Sequence, residues 1–383
     1  MKIPARFANE HDARRRFPEL VHSMVPRLFA GDPLADAAVA ELAALGTGVM
    51  TQMVMDATMG RDVPAAPTAL RALVRDASAV PPWFDAELAN LGARAFMRAG
   101  RLAGTVLGSA SIVMGYASPA GNKPLALSGR LTEHAARRLA ETSKFVLLVC
   151  SPDGARPGQP GHAAALRVRL MHAHVRRMLL ASPRYATESW GVPINQHDMA
   201  GTLLLFSIVV IEGLRKLGFF MSKLEAEGYF LLWRYVGQVM GVDPEIIPRS
   251  LPEAVRLGEF IDLTQHPPDR DAKALTRALL DSPFAISPSA KARRNAELQS
   301  TVGAAFCRAL LGDERADALD VPRSAYRGIV APLFAVASAR QQLTKLVPSL
   351  ARADEARGRA YWEEVVRMGN VGGYDFAPFA LRL

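Results

Sequence analysis

Apolar residues recur at a spacing of three and four in one segment after another of this 383-residue chain, while alternating runs of Val, Ile and Thr are scarce. That period lines apolar side chains along one face of a helix, whereas a strand would need a period of two. Ala and Leu dominate the apolar set, which also favours helix over sheet. The expected fold is therefore all-α. Helices are expected over 36–45, 68–77, 86–108, 132–148, 162–182, 198–217, 223–240, 252–263, 271–280, 289–311, 326–346 and 355–368, with Thr132 as an N-cap and Glu133 in the first turn. Connections are mostly short and no repeat of 20–50 residues is visible, so residues 1–383 read as a single large domain. The Pro-rich segment 62–67 is the weakest point of that reading.

Half of the residues are hydrophobic and 22% are charged, a globular balance rather than a disordered one. The net charge of +9 suits nucleic acid or an anionic membrane in principle. However, the arginines are spread along the chain and no helix-turn-helix, zinc-finger or aromatic-basic repeat occurs, so no nucleic-acid partner is expected. Cys150 and Cys307 each sit in apolar sequence and read as inert core thiols. Their spacing excludes Cys-ligated zinc and iron–sulfur clusters. Arg14-Arg15-Arg16-Phe17 superficially resembles a twin-arginine export signal. The sequence after it is interrupted by prolines, His22 and Arg27, so it reads as the first amphipathic helix of a cytoplasmic chain, with a clipped export signal left open. Segment 102–122 carries no charge and segment 199–211 is strongly apolar. Both read as buried core helices, and no transmembrane segment is expected.

Six of the eight histidines stand alone: His11, His22, His134, His162, His197 and His266. His172 and His174 lie in the run Arg167-Val-Arg169-Leu-Met-His172-Ala-His174-Val-Arg176-Arg177. On a helix, Arg169, His172 and Arg176 fall at i, i+3 and i+7 and share one face. Three potentially cationic groups there would repel one another unless an anion or a metal sits opposite, or unless the face is simply wet. Haem meets the first condition, because its iron takes a neutral imidazole and its propionates take guanidinium forks. His174 lies about 200° around the helix from His172, so the two cannot ligate one iron from the same side. The alternative is a basic exposed face on which His172 is incidental.

Arg138, Glu141, Thr142 and Phe145 share a face of the preceding helix. A guanidinium, a carboxylate and a hydroxyl grouped there suit the orientation of a polar reactant or a proton. The alternative is a satisfied Arg–Glu pair plus a Thr bonded back to its own helix.

Taken together and in this order, the two constellations resemble the latex-clearing proteins, or rubber oxygenases, whose domain is shared with fungal endoplasmic-reticulum oxygenases of mycophenolic acid synthesis. Supporting segments are Val80-Pro-Pro-Trp83-Phe-Asp85, Gly191-Val-Pro193-Ile-Asn195-Gln196-His-Asp198, Tyr229-Phe-Leu-Leu-Trp233-Arg234-Tyr235-Val-Gly237 and Gly241-Val-Asp243-Pro244. The resemblance covers roughly residues 75–260. It implies a helical, globin-like core holding non-covalent haem b, with His172 as the proximal iron ligand. It further implies that Arg169 and Arg176 support the cofactor and that Arg138 and Thr142 face the distal pocket. Two positions depart from the pattern. Glu141 stands where some relatives carry a distal lysine, and Asn122 stands where they carry a catalytic glutamate. An amide donates a hydrogen bond but is no base at neutral pH.

The expected function is a haem b-dependent oxygenase that uses dioxygen on a small apolar unsaturated substrate, isoprenoid or lipid-like. Arg138, Glu141 and Thr142 would act at the reacting centre. Arg169 and Arg176 would anchor propionates or brace the haem helix. The small residues Gly104, Gly108, Ser109, Ala110 and Ser111 would allow close approach to a macrocycle or line a channel. Two rival readings fit the same residues: a non-enzymatic haem protein for gas sensing or storage, and a haem-free helical protein sharing the scaffold.

Overall fold

The computed structural model describes residues 3–45, 47–127, 135–285 and 289–369, and every regular element among them is helical. The helices that build the site and its surroundings are α1 Pro33–Leu42, α2 Thr68–Ser78, α3 Ala86–Ala99, α4 Ala135–Val149, α5 Pro160–Leu180, α6 Gln196–Phe206, α7 Lys223–Val239, α8 Val330–Leu346 and α9 Pro348–Gly369. The proposed cap Thr132, Glu133 and the lone His134 lie outside the described residues.

Helices start where side chains accept the otherwise unpaired N–H groups of a first turn. Asp32 caps α1 by accepting from Ala35 N at 3.2 Å, Asp85 caps α3, and Asn195 caps α6. Ser222 and Glu225 form a reciprocal capping box at the start of α7.

Two helices expected to be continuous are broken. The stretch 86–108 turns at Gly100, whose φ of 48° lies in the left-handed region, because Gly100 crosses Gly358 of α9 at backbone contact. The chain then runs through Arg101–Val106, a π turn over Leu107–Ser111 and Ile112–Ala117. The stretch 198–217 breaks at Ser207. By length and composition the combined stretch Gln196–Lys216 would suffice to cross a bilayer, but half of it is buried in the protein.

A close crossing among these helices joins α3 to α7. A Cβ on Gly92 would fall 1.9 Å from Tyr229 N, and one on Gly228 would fall 2.0 Å from Leu88 O, so the two backbones touch. Phe96 then stacks between Tyr229, at 5.3 Å, and Trp362 of α9, at 5.4 Å. Cys150 and Cys307 are buried free thiols, and burial pushes the Cys307 thiol up to about 12. Both are therefore protonated and unreactive at neutral pH.

Candidate functional site

Helix α5 is tied to α1 and α2 by three polar side chains at heptad spacing: His162, Arg169 and Arg176. The imidazole of His162 lies 3.0 Å from Ala77 O at the end of α2. Arg169 is a buried fork. Its Nε donates to Asp32 Oδ2 at 2.6 Å, its Nη2 to Asp32 Oδ1 at 3.1 Å and its Nη1 to Asp76 at 3.0 Å. Arg176 donates to Asp36 at 3.2 Å and to Ile194 O at 3.3 Å. Seven residues are close to two turns, so the three ties form one stripe down the helix.

This geometry overturns the alternative of an exposed basic face. The face is not a wet basic one, since Arg169 and Arg176 are 4% and 2% exposed. Opposite it stand carboxylates of the protein itself: Asp32 and Asp76 take up the Arg169 guanidinium, and Asp36 accepts from one Nη of Arg176. Of the two roles offered for these arginines, bracing the helix is the one the contacts match. Arg169, held bidentately by the buried Asp32, has no fork left to offer, whereas the buried Nε of Arg176 has no partner among the described residues.

His162 gives the tie a pH signature. Burial holds its pKa below the ordinary value. As pH falls, the unfolded chain therefore takes up this proton first. The stability it contributes is complete above the unfolded value of about 6.5 and declines as pH drops toward the folded value. His162→Gln should flatten the decline in denaturant midpoint below about pH 6.5, by up to ~1.4 kcal/mol per pH unit. Equal slopes in the two proteins would show that this imidazole does not couple folding to pH.

His172 sits at the edge of the stripe, one turn beyond Arg169. The ring keeps some exposed surface, yet its Nδ1 is sealed without a hydrogen-bond partner. Burial, assisted by the Arg176 charge, brings its pKa down to about 4. At neutral pH it is thus an uncharged imidazole with a lone pair to donate, on a helix that is fixed along its length. Such a donor could hold haem iron, and the orphaned Nδ1 is a buried polar group that no atom of the described residues satisfies. No group of three or more His, Cys, Asp or Glu suited to a bare metal ion occurs among the described residues.

Helix α4, which packs beside α5, places the second constellation differently from the expectation. Glu141 pairs with Arg137, Nε to Oε1 at 2.8 Å, and not with Arg138. The i, i+4 spacing of 137 and 141 explains the choice. Arg138 instead lies within electrostatic reach of the Tyr116 phenol. Thr142 is half-buried, and it is the adjacent Ser143 that bonds back to its own helix, to Leu139 O at 2.7 Å. Arg138, Glu141 and Thr142 therefore share a helix without forming one hydrogen-bonded unit among the described contacts.

Asn122 is fully buried. Its amide donates to Tyr116 O at 2.9 Å, and its Oδ1 has no partner among the described residues. Next to it, Lys123 is held by Asp269, at 2.6 Å, and by Asp271.

The segments that carried the sequence resemblance prove to be the scaffold around α5. Gln196 donates to Gly31 O and Gly241 O, each at 2.8 Å, and accepts from Asp243 N at 2.7 Å. Gly241, at φ 83°, abuts the Arg169–Asp32 pair so closely that a Cβ there would lie 2.5 Å from Arg169 Nε. Arg234 covers Trp83 at 3.8 Å, and Phe84 stacks on Tyr235 at 4.1 Å. Asp198 pairs with Arg6, which holds its carboxyl well below the usual carboxylate range. A cavity of about 370 Å³ lies at this second place, lined by Arg6, Phe7, Ser118, Lys123, Trp190 and His197 among others. None of the site residues named from the sequence lines it.

Sequence reasoning missed Asp32, Asp36 and Asp76. The signal available was local: Asp32-Pro33 is a helix start, and Asp76 lies in the last turn of α2. Nothing in the spacing pointed these carboxylates at residues more than ninety positions away.

Comparison with known proteins gives a consistent result. A profile described as ER-bound oxygenase mpaB/B'/Rubber oxygenase, catalytic domain, matches residues 89–341. The chain is 26% identical over 261 residues to the rubber oxygenase of Streptomyces sp. (strain K30), an alignment covering 67% of this chain and 61% of that protein. The chain thus spans about three fifths of the length of that curated relative. In three dimensions it is similar to latex clearing protein LCP in the closed state, with a TM-score of 0.71, 22% identity and coverage of 88% of this chain and 91% of that one. At that identity the likeness concerns the fold.

Proposed function

The chain belongs to the family of ER-bound oxygenase mpaB/B' and rubber oxygenase catalytic domains, and from that premise we propose that it is a haem b-dependent oxygenase acting with dioxygen on an apolar, unsaturated, isoprenoid or lipid-like substrate. One observation carries the haem assignment. His172 is a neutral imidazole with an orphaned ring nitrogen, on a helix braced at three points.

When bound, the haem supplies the redox chemistry that dioxygen needs to react with a carbon–carbon double bond. His172 would hold it through a ring nitrogen. Asp32, Asp36 and Asp76 fix the orientation of the ring by fixing α5, which limits how far the imidazole swings. Arg138 and Thr142 are the groups proposed to orient polar atoms on the facing helix. Glu141, already paired with Arg137, holds a negative charge there where a lysine would bring a positive one.

Asn122 favours a second reading. A buried amide neither takes nor gives up a proton, so a base is missing at the position where some relatives have one. A haem-binding protein without oxygenase activity accounts for that substitution.

Expression with a haem precursor should yield a coloured protein with a Soret band near ~400 nm. Dioxygen uptake should then rise on addition of squalene or short polyisoprenes. A Soret band with no substrate-dependent uptake across unsaturated lipids selects the non-enzymatic reading. A colourless protein removes both.

A further inference from the structure

The cavity of about 370 Å³ beside Arg6 and Trp190 is of small-molecule size, and none of the residues assigned to the haem site lines it. Its charged walls are compensated from within the protein. Arg6 donates from both Nη atoms to Asp198, at 2.8 and 2.5 Å, and from Nη1 to Trp190 O at 2.9 Å. Lys123 is held by Asp269 and Asp271. The uncharged polar groups are also engaged. His266 Nε2 lies 2.9 Å from Ala5 O, Ser118 Oγ accepts from Gly121 N at 3.2 Å, and Thr264 Oγ1 donates to Phe260 O at 2.9 Å. A charged ligand would meet cations and carboxylates already paired with each other, and would lose its hydration without compensation.

One polar atom of the wall is left over. His197, in the first turn of α6, is 3% exposed. Its Nδ1 lies 3.4 Å from Asp198 Oδ1, a carboxylate that Arg6 keeps ionised, and this places the ring hydrogen on Nδ1. Nε2 then carries the lone pair. It is the one buried side-chain nitrogen or oxygen of the cavity wall that has no hydrogen-bond partner among the described residues. Burial holds the pKa of the ring below its ordinary value, so at neutral pH Nε2 is an acceptor with no proton of its own. Around it the wall is apolar, with Phe7, Leu28, Pro119, Ala120, Trp190 and Pro267. A buried acceptor facing apolar surface is costly unless a donor meets it, and a hydroxyl on an otherwise apolar molecule is such a donor.

We propose that this cavity is a second ligand site, which takes a small, neutral, apolar molecule bearing a hydroxyl group that donates to His197 Nε2. The inference rests on the cavity wall alone and does not depend on the haem assignment. In the full chain, benzyl alcohol should bind saturably in calorimetric titration and move the nitrogen NMR signal of His197 Nε2 upfield, as a lone pair does on accepting a hydrogen bond. The signal is assigned by its loss in His197→Gln. Benzyl methyl ether has nearly the same frame but no donor, so it should leave that signal in place and bind roughly 3- to 10-fold more weakly. Benzoate and benzylammonium should bind at least about tenfold more weakly than the alcohol. Pro267→Trp, a change at an exposed position of the wall, should block the alcohol while the helical circular dichroism is kept. Absence of alcohol binding would overturn the proposal, as would binding that leaves the His197 signal unmoved or persists in Pro267→Trp. Tighter binding of either charged analogue, or a ring proton found on Nε2, would overturn it too.

Discussion

His172→Ala is expected to abolish the Soret band while the chain stays folded. The imidazole makes no hydrogen bond among the described residues, so its removal leaves no partner there unsatisfied and the fold loses only modest packing. Haem affinity depends directly on it. Loss of groups that merely support a ligand typically costs 10–100-fold, and loss of the ligand itself should cost at least about that much. Added imidazole should restore part of the band in His172→Ala by occupying the vacated volume. His174→Ala should retain the band, because position 174 lies on another side of the helix. The reverse pattern, with haem kept in His172→Ala and lost in His174→Ala, would move the iron ligand to His174. A protein that never takes up haem would end the assignment altogether.

Asp32→Ala should be the most destabilising single substitution among the site residues. Asp32 accepts two bonds from Arg169 and one from Ala35 N, and it is 3% exposed. Its removal leaves a buried guanidinium served by Asp76, whose side chain is half exposed to solvent, and opens the first turn of α1. Breaking a buried ion pair from one side costs about 3–5 kcal/mol, and loss of a cap about 1 kcal/mol, with some overlap because both act through one residue. Urea denaturation of the haem-free protein would measure this as a lower midpoint at unchanged slope. Replacing both partners, as in Asp32→Leu/Arg169→Met, should recover much of the loss, since an apolar pair leaves no charge stranded. A cost below about 1 kcal/mol for Asp32→Ala would mean that water reaches Arg169 and that α5 is not braced there. In protein that binds haem, the same substitution should broaden or shift the Soret band, a readout that global stability alone does not move.

The fold class and the position of most helices were legible in the amino-acid order. Helix formation is a local matter of period, propensity and capping, so α5 and α7 begin and end within two residues of where the pattern puts them. The family was legible too, because the His172 and Arg138 constellations and the segments around Gln196, Trp233 and Gly241 stand in register. The breaks at Gly100 and Ser207 were not, and the first of them answers a backbone crossing with Gly358, which is remote in sequence. Long-range packing also decided which groups the arginines pair with. Spacing places Arg169 and Arg176 on one face but cannot say which groups lie across from it. The answer, Asp32, Asp76 and Asp36, comes from helices folded back over more than ninety residues. The pairing of Glu141 with Arg137 is different in kind, a local i, i+4 contact within one helix. Local patterns encode which face a residue occupies, whereas the identity of its partner is fixed only when the chain has closed on itself.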